Sequence, residues 1–255
     1  MSMRLVIVGC TGSFPGPDSP ASCYLVEAPY EGRTFRMLID LGNGALGALQ
    51  RHAELRDIDA VALSHLHPDH CLDMCGFYVA RKYHPQGKMP LIPAFGPQGT
   101  ADYLATAYGL PLDPGMTEEF DFRFWGDGVT TQVGPFSVTS TLVDHPVEAY
   151  ALRISAGGKS LVYSGDTGPH EALVDIVRGA DVFLAEASFV VSGNNPPQMH
   201  LTGAEAGHYA AAGGVGQLLL THIPPWTDRG EVEADAKSTF DGPTHLVTAG
   251  QVFDI

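Results

Sequence analysis

The chain has 255 residues, enough for one large domain or two small ones and for a sizeable hydrophobic core. Apolar residues make up 44% and charged residues 17%, a composition that excludes a disordered chain. Lys and Arg number 14 against 29 Asp and Glu, a formal net charge of −15. Because nucleic-acid binders owe most of their affinity to Lys and Arg contacts with phosphates, this charge argues against a large polyanionic partner.

The first third of the chain is predicted to be rich in short strands. Apolar or alternating runs bounded by Gly and Pro predict strands at residues 5–8, 23–27, 35–39, 60–63 and 91–95. Helical spacing of apolar residues predicts helices at residues 45–55 and 71–82, and a further helix after Gly99.

The rest of the chain adds strands and then alternates strands with helices. Strands are predicted at residues 120–125, 136–143, 150–154 and 161–164, with a hairpin turn at residues 156–159. Helices at residues 170–177, 204–212 and 231–240 then alternate with strands at residues 182–184, 218–220 and 246–249. Two β-rich stretches, each followed by helices, predict paired sheets with helices outside, in a single α/β domain spanning residues 1–255.

The apolar runs and the cysteines indicate where in the cell the protein is expected. No apolar run approaches the roughly 20 residues of a membrane span, and the apolar run after Arg4 is too short for the core of a signal peptide. We therefore expect no membrane contact, a cytoplasmic location and reduced thiols. Cys71 and Cys75 are expected to share one face of the predicted helix, as two small buried side chains rather than as a zinc clip.

One glycine-rich segment matches a dinucleotide-binding pattern. Gly42-Asn43-Gly44-Ala45-Leu46-Gly47 follows a predicted strand and opens a predicted helix, as G-x-G-x-x-G requires. The next strand, however, ends in Ser64-His65 without the acidic residue that would hold a ribose. We interpret the segment as a glycine-rich turn and a helix start.

The strongest motif directly follows the strand at residues 60–63. Ser64-His65-Leu66-His67-Pro68-Asp69-His70 places three imidazoles and one carboxylate within six positions. Neutral imidazole and carboxylate are ligands that suit zinc, manganese and iron. A helix could not aim all four inward at this spacing, whereas a loop at a strand end can send His65 and His67 to one side and Asp69 and His70 to another. The pattern therefore favours two metal ions.

Two metals need further ligands, and three later residues also follow predicted strands. His145, Asp166 and His222 each come at the end of a short apolar run. Each alone could be a turn residue or a loop histidine, but their shared position at strand ends indicates a common site.

The same residues carry a family resemblance over nearly the whole chain. His65-Leu-His67-Pro-Asp69-His70 with His145, Asp166 and His222 resembles the metallo-β-lactamase superfamily, whose fold is an αββα sandwich. Further segments are similar to the ribonuclease Z-like phosphodiesterases: Val8-Gly-Cys-Thr-Gly-Ser13, Phe95-Gly-Pro97, Leu184-Ala-Glu-Ala-Ser-Phe189 and His200-Leu-Thr202. Four others look closest to a bacterial branch described as atypical class II cyclic-AMP phosphodiesterases: Gly16-Pro-Asp-Ser-Pro-Ala21, Gly47-Ala-Leu-Gln-Arg-His52, Arg81-Lys-Tyr-His-Pro85 and Leu220-Thr-His-Ile-Pro-Pro-Trp226.

The resemblance implies a ligand set. Metal one would take His65, His67 and His145, metal two would take Asp69, His70 and His222, and Asp166 would bridge them. The two divalent ions are expected to be zinc, with manganese or iron as alternatives. Relatives are often dimers, so a homodimer is consistent with the resemblance.

Two departures from the family pattern affect the predicted function. Ala185 replaces the histidine of the His-Glu-Ala-Thr motif, although Glu186 remains. Ribonuclease Z enzymes carry a flexible basic arm in or near the stretch at residues 110–136, where this chain has one basic residue, Arg123, against five acidic ones. That balance puts tRNA binding in doubt.

The resemblance, together with the acidic net charge, implies hydrolysis of a small 3′,5′-cyclic nucleotide, with cyclic AMP converted to 5′-AMP by a metal-bridging hydroxide. His200 is the candidate proton donor to the leaving oxygen, Glu186 would orient it, and Asp69 would assist the hydroxide while binding metal two. The alternatives are a tRNA 3′-end endonuclease, another hydrolase of the superfamily, and a non-catalytic module on the same scaffold. Whether Trp226, Thr167 or Ser188 contacts the substrate is left open.

Overall fold

The computed structural model describes residues 3–255, so Met1 and Ser2 of the predicted domain lie outside the described residues. Fourteen strands form two mixed sheets of seven, which we call sheet I and sheet II.

The strand bounds are β1 (Arg4–Gly9), β2 (Cys23–Tyr30), β3 (Arg33–Ile39), β4 (Ala60–Ala62), β5 (Ile92–Gly96), β6 (Phe120–Phe124), β7 (Val129–Val133), β8 (Phe136–Leu142), β9 (Tyr150–Ala156), β10 (Lys159–Tyr163), β11 (Val182–Glu186), β12 (Leu218–Thr221), β13 (Thr244–Leu246) and β14 (Val252–Asp254). The helices are α1 (Ala45–Leu49), α2 (Pro68–Cys71), α3 (Met74–Lys82), α4 (Thr100–Tyr108), α5 (Ala172–Val177), α6 (Gly203–Gly213) and α7 (Arg229–Lys237), with a single 3₁₀ turn at Leu55–Asp57.

The two sheets repeat one pairing pattern. Sheet I has the strand order β14-β1-β2-β3-β4-β5-β6, and sheet II has the order β13-β12-β11-β10-β9-β8-β7, so the chain passes from sheet I to sheet II between β6 and β7 and returns between β13 and β14. In sheet I, β1, β2 and β3 pair antiparallel and β3 to β6 pair parallel. In sheet II, β7 to β10 pair antiparallel and β10 to β13 pair parallel. Helices follow the parallel strands, because a parallel connection needs a crossover.

Side-chain alternation along the strands builds the layers. On β1, Leu5 and Ile7 point into a core that also contains Leu161 and Leu184 of sheet II. Val6 and Val8 point the other way, against the helices that cover sheet I. A third core lies between sheet II and helices α5, α6 and α7. The result is helices, sheet, sheet and helices in layers, the αββα arrangement that the resemblance implied.

Most predicted elements are present, with shifted ends. The hairpin turn at residues 156–159 joins β9 to β10 as predicted. The helix predicted at residues 45–55 stops at Leu49, because Arg51 and His52 donate to carbonyls three residues back and tighten the chain into a turn.

The helix predicted at residues 71–82 is two helices. The backbone N–H of Asp73 donates to the carbonyl of Leu41 instead of continuing the helix, and its carboxylate accepts from the N–H of Leu46. The prediction that Cys71 and Cys75 share one helix face was therefore wrong: Cys71 ends α2 and is buried, whereas Cys75 lies in α3 and is partly exposed. All four cysteines are free.

The end of the chain also differs from the prediction. The strand expected at residues 246–249 is β13, which ends at Leu246, because Gly250 adopts a left-handed conformation and Gln251 closes a turn onto Thr248. The chain then returns to sheet I as β14. The sequence predicted neither β14 nor β7, both of which are edge strands with mainly polar or exposed residues.

Candidate metal centre

The candidate site lies where strands of both sheets end. Ser64 and His65 follow β4, His145 follows β8, Asp166 follows β10 and His222 follows β12. These are the carboxyl ends of their strands, so the loops that follow meet at one edge of the sandwich. The motif at residues 64–70 runs from β4 into α2, where Asp69 and His70 occupy the first turn.

The first group of potential ligands consists of three histidines and one aspartate. His65 Nε2 lies 3.1 Å from His67 Nδ1, and His145 Nε2 lies 3.1 Å from the same atom. Asp166 joins them, with its Oδ2 3.7 Å from His65 Nε2. The four side chains each offer one ligand atom within 4.8 Å of the others.

The second group shares Asp166 and adds Asp69, His70 and His222. His222 Nε2 lies 3.1 Å from Asp69 Oδ2 and 3.1 Å from His70 Nε2. Asp166 Oδ1 is 3.3 Å from His70 Nε2, and Asp166 Oδ2 is 3.4 Å from His222 Nε2. All four residues of this group are buried.

The structure therefore brings together all seven sequence-predicted ligands, in the two groups that the resemblance implied. Their assignment as metal ligands stays a prediction. Six of the eleven histidines belong to neither group within residues 3–255: His52, His84, His170, His200, His208 and His245.

In four of the candidate ligand histidines, the ring nitrogen Nδ1 faces away from the cluster and contacts a neighbouring polar group. His70 Nδ1 donates to Asp40 Oδ2 at 2.7 Å, and His145 Nδ1 donates to the carbonyl of Met199 at 3.0 Å. His65 Nδ1 lies 3.0 Å from Ser64 Oγ, and His222 Nδ1 lies 2.9 Å from Ser188 Oγ. Such contacts fix the tautomer so that the inward nitrogen can act as a ligand.

The geometry and chemistry of the donors fit divalent metal ions. Nitrogen ligands about 2.0–2.1 Å from a tetrahedral zinc ion lie about 3.3–3.4 Å apart, close to the 3.1 Å separations within each group. Asp166 Oδ1 is buried and has no hydrogen-bond partner in residues 3–255. A buried carboxylate oxygen without a hydrogen bond is costly, so this atom is suited to face a cation. Histidine and aspartate ligands at these separations suit zinc, manganese or iron alike.

Burial and charge set the protonation of the site. Burial lowers the pKa of His65, His67 and His145, which favours the neutral, ligand-competent ring. Burial opposes charge on His70 as well, but Asp166 and Asp40 outweigh it and raise its pKa well above the usual value. Burial alone would raise the pKa of Asp166, yet the neighbouring His222 and His70 hold it well below the usual range.

Asp69 behaves like Asp166. Burial opposes its ionised form, but hydrogen bonding to His222 and His70 and their charge lower its pKa below the usual range. Both candidate ligand carboxylates are therefore ionised at neutral pH.

Beside the second group lies an acid–base pair. His200 Nδ1 donates to Glu186 Oε1 at 3.0 Å, and Glu186 is fully buried at the end of β11. Burial alone would lower the pKa of His200, but the Glu186 carboxylate raises it to about 9. Nδ1 is committed to Glu186, which leaves Nε2 as the nitrogen that can donate a proton to a substrate.

Glu186 is held by more than His200. The backbone N–H of Thr167 donates to Glu186 Oε1 at 2.8 Å, and the Ser188 hydroxyl donates to Glu186 Oε2 at 3.0 Å. Thr167 and Ser188 are both buried, and their hydroxyls form hydrogen bonds to groups of the protein. Ala185, which replaces the histidine of the family motif, points away from the site into the core between sheet II and its helices.

Asp40 is the functional residue that the sequence reasoning missed. Its Oδ2 accepts from His70 Nδ1, the Ser64 hydroxyl and the Tyr163 hydroxyl, and its Oδ1 accepts from the backbone N–H of Ser64. Because Ser64 also contacts His65, this one carboxylate supports a histidine of each group. The available signal was an acidic residue that ends the apolar run of β3, within Leu38-Ile-Asp40-Leu-Gly42.

Close backbone packing holds the loops of the site. A Cβ on Gly42 would lie 1.9 Å from the carbonyl oxygen of Asp69, and a Cβ on Gly12 would lie 2.4 Å from that of His222. Gly42 is the first glycine of the dinucleotide-like pattern, and it thus makes room for the metal-site loop. Asp40 and His222 adopt left-handed backbone conformations with φ of 57° and 55°, which residues other than glycine rarely adopt.

Comparison with known proteins identifies the family. A family model described as a β-lactamase superfamily domain matches residues 35–223. The chain belongs to the β-lactamase superfamily. An uncharacterized protein of Mycobacterium leprae is 49% identical to this chain over 259 residues, and the match covers 100% of this chain and 89% of the relative.

Two further relatives narrow the position within the superfamily. The crystal structure of YhfI from Bacillus subtilis, a metallo-β-lactamase-fold protein, superimposes with a TM-score of 0.87 at 26% identity and covers 100% of this chain and 99% of its own. Ribonuclease Z of Bradyrhizobium sp. is 30% identical over 93% of this chain and 95% of its own. The expected metallo-β-lactamase fold and the ribonuclease Z-like resemblance are thereby confirmed, and the chain is a hydrolase by family and fold.

No helix within residues 3–255 has the length and apolar character needed to cross a membrane.

Proposed function

We propose that this chain is a dinuclear metal-dependent phosphodiesterase that hydrolyses 3′,5′-cyclic nucleotides, with cyclic AMP converted to 5′-AMP. The observation that carries the proposal is the pair of ligand groups that share Asp166, with the Glu186–His200 pair directly beside them. Two cation sites can hold a phosphodiester, and a buried acid next to them can protonate the leaving oxygen.

The seven clustered side chains would hold two divalent ions. His65, His67 and His145 would hold the first, Asp69, His70 and His222 the second, and Asp166 both. Ions bound there would polarise the phosphoryl oxygens and lower the pKa of a coordinated water. The negative charge of Asp69 and Asp166 offsets part of the charge of the ions, and their low pKa values keep them ionised.

The acid–base pair, His200 with Glu186, acts on the side of the phosphorus atom opposite the attacking water. Water attacks phosphorus in line with the 3′ oxygen, and the bond between phosphorus and that oxygen breaks. His200 donates the proton on Nε2 to the 3′ oxygen, and Glu186 stabilises the ring by accepting from Nδ1. Asp69 accepts a hydrogen bond from the attacking water, which loses one proton to solvent as the new P–O bond forms, and His200 then recovers a proton from solvent. The product is a nucleoside 5′-monophosphate.

The second candidate is a tRNA 3′-end endonuclease. The similarity to Bradyrhizobium ribonuclease Z over most of both chains favours it. Against it stands the stretch at residues 110–136, where strands β6 and β7 and their turns leave no extended basic arm. The two functions share the metal centre and differ in how the substrate is held.

One experiment separates these activities. Protein loaded in turn with zinc, manganese or iron would be incubated at one salt concentration with a panel of 3′,5′-cyclic nucleotides and with a tRNA precursor. Release of nucleoside 5′-monophosphate without cleavage of the precursor supports the proposal. Cleavage of the precursor alone would establish the second candidate, and turnover of neither by fully loaded protein would favour a non-catalytic module.

A further inference from the structure

Two large aromatic rings lie exposed on loops that pack against the candidate metal ligand His222. Trp226 is 70% exposed and Phe14 is 41% exposed. Their ring centroids are 4.9 Å apart with the planes inclined at 45°, so each ring contacts the other and leaves a face free. Burying an aromatic side chain is normally favourable, and an exposed pair in contact indicates a surface that stacks on something else.

The loop that carries Trp226 is tied to the second ligand group. Trp226 lies in a tight turn in which the N–H of Thr227 donates to the carbonyl of Pro224 at 3.0 Å. The hydroxyl of Thr227 donates to the carbonyl of Ser188 at 3.1 Å, and Ser188 contacts the ring of His222. The position of Trp226 is therefore fixed relative to a candidate metal ligand.

The loop that carries Phe14 is tied to the same histidine. Gly12 packs so closely on His222 that a Cβ there would lie 2.9 Å from its Nδ1. The N–H of Phe14 donates to the carbonyl of Gly12 at 2.8 Å, which turns the chain outward. The two rings thus come from two loops that both pack on His222.

A cavity of about 280 Å³ lies between the same two loops. Gly16 and Ser19 line one side, and Pro225 and Thr227, the two neighbours of Trp226, line the other. None of the seven clustered ligand residues lines it, and Arg229 is the single Lys or Arg side chain in its wall. Space for part of a small ligand therefore adjoins the aromatic pair, in surroundings that do not compete with the metal centre for a phosphate.

We infer that Trp226, backed by Phe14, is a stacking platform for the base of the nucleotide whose phosphate is held at the metal centre. This inference rests on the proposed function and names how that function selects its substrate. Stacking on an aromatic side chain tolerates any base, because every base presents a π face. The platform thus selects nucleoside cyclic phosphates over phosphodiesters that lack a base.

Steady-state kinetics of Trp226→Ala test the platform. Loss of the indole ring should raise KM for cyclic AMP roughly 5- to 100-fold, the range found for losing one base–aromatic stack, with a smaller change in kcat. Trp226→Phe should restore most of the affinity. For ribose 3′,5′-cyclic phosphate, which has no base, Trp226→Ala and the wild type should have the same KM. Val252→Ala removes an exposed apolar side chain from the edge strand β14 and is the matched control.

A binding measurement gives a second readout that does not need turnover. The chain has two tryptophans, and Trp125 is 6% exposed, so Trp226 is the one that a ligand can reach. Adding 5′-AMP to metal-loaded protein should quench tryptophan fluorescence, and ribose 5-phosphate should not. The quenching should disappear in Trp226→Phe, which keeps Trp125.

The outcomes separate this inference from the proposed function. If the wild type hydrolyses cyclic AMP and Trp226→Ala does so with an unchanged KM, the platform is wrong and the proposed function stands. If the wild type hydrolyses no cyclic nucleotide, the proposed function is wrong whatever the variant does. Equal quenching by 5′-AMP and ribose 5-phosphate would also overturn the platform.

Discussion

Asp40 connects the two ligand groups through one buried carboxylate. It accepts from His70 directly and supports His65 through Ser64. In Asp40→Asn, an amide NH₂ in place of Oδ2 would oppose three donors, so His70 and Ser64 should lose their fixed orientation. We expect metal affinity at both sites to fall about 10- to 100-fold, as for other partners of metal-binding histidines. Metal retention during titration with a chelator measures this.

Two variants control for that change. Tyr163→Phe removes one donor to Asp40 and leaves the carboxylate in place, so it should affect metal affinity less. Asp121→Asn changes an exposed carboxylate on β6 and should have no effect. Wild-type metal affinity in Asp40→Asn would show that the histidines hold their orientation without it.

Asp166 is the residue on which both groups depend. Asp166→Ala removes the carboxylate that faces His65, His70 and His222, so both sites should lose affinity together, and activity with them. Elemental analysis after gel filtration measures the metal content. A full complement of two ions in this variant would contradict the bridging role.

His200 should matter for turnover and not for metal binding. It contacts Glu186 and lies outside both ligand groups. His200→Ala should therefore keep both ions and lose about 10²- to 10⁴-fold in kcat, the usual contribution of a general acid. His208→Ala, at an exposed position on α6, is the control. A wild-type kcat in His200→Ala would exclude its role as the proton donor.

The sequence predicted the clustered residues far better than their supports. Three imidazoles and a carboxylate within residues 65–70 form a dense signal, and His145, Asp166 and His222 could be recognised because each follows an apolar strand. Asp40 also ends a strand, but a lone carboxylate there is equally typical of a turn. Ser188 lies in a segment that carries the resemblance, but its role as a support was not predictable, because its contacts to Glu186 and His222 arise only when β11 and β12 lie side by side.

At the scale of elements, the buried strands were predictable and the edges were not. Strands such as β4 and β12 are continuous apolar runs, because both of their faces are covered. The edge strand β7, with the sequence VTTQV, is mostly exposed, and only its pairing with β8 reveals it. The break between α2 and α3 depends on two hydrogen bonds to residues distant in sequence: the N–H of Asp73 donates to the carbonyl of Leu41, and the N–H of Leu46 donates to the Asp73 carboxylate.

The glycine-rich turn before α1 offers a test of how elements hold the metal-site loop. In Gly42→Ala, the new Cβ would collide with the carbonyl of Asp69, so the loop must move and Asp69 and His70 with it. We expect weaker binding at the second metal site and a lower melting temperature. Metal content and thermal unfolding measure the two effects.

The same segment supplies the matched control. Gly47 lies inside α1 and an added Cβ would have no neighbour within 4 Å. Gly47→Ala should therefore keep both metals and stabilise the protein by about 0.5–1 kcal/mol, the helix preference of Ala over Gly. Equal metal content in the two variants would show that close packing at Gly42 does not position the ligands.

At the scale of the molecule, the few basic side chains are largely committed to other groups. Nine of the fourteen form ion pairs with acidic side chains: Arg4, Arg33, Arg36, Lys82, Lys88, Arg123, Lys159, Arg178 and Lys237. Of the others, Arg81 is buried, and Arg153 and Arg229 donate to backbone carbonyls. With a net charge of −15, this leaves Arg51 and Arg56 as exposed cations without an acidic partner in the described chain.

This charge distribution predicts how activity depends on salt. A protein that holds RNA through 6–10 phosphate contacts loses roughly 10³–10⁵-fold in affinity between 50 and 200 mM salt. A cyclic nucleotide has one phosphate, which under the proposed function would be held at the two candidate metal sites, so its KM should change by less than about threefold over that range. Initial rates measured across the salt series test this. Charge reversal in Arg51→Glu with Arg56→Glu should leave KM unchanged, because neither residue belongs to the ligand groups. A hundredfold rise in KM over the series, or a large effect of the double variant, would instead indicate a polyanionic substrate held on the surface.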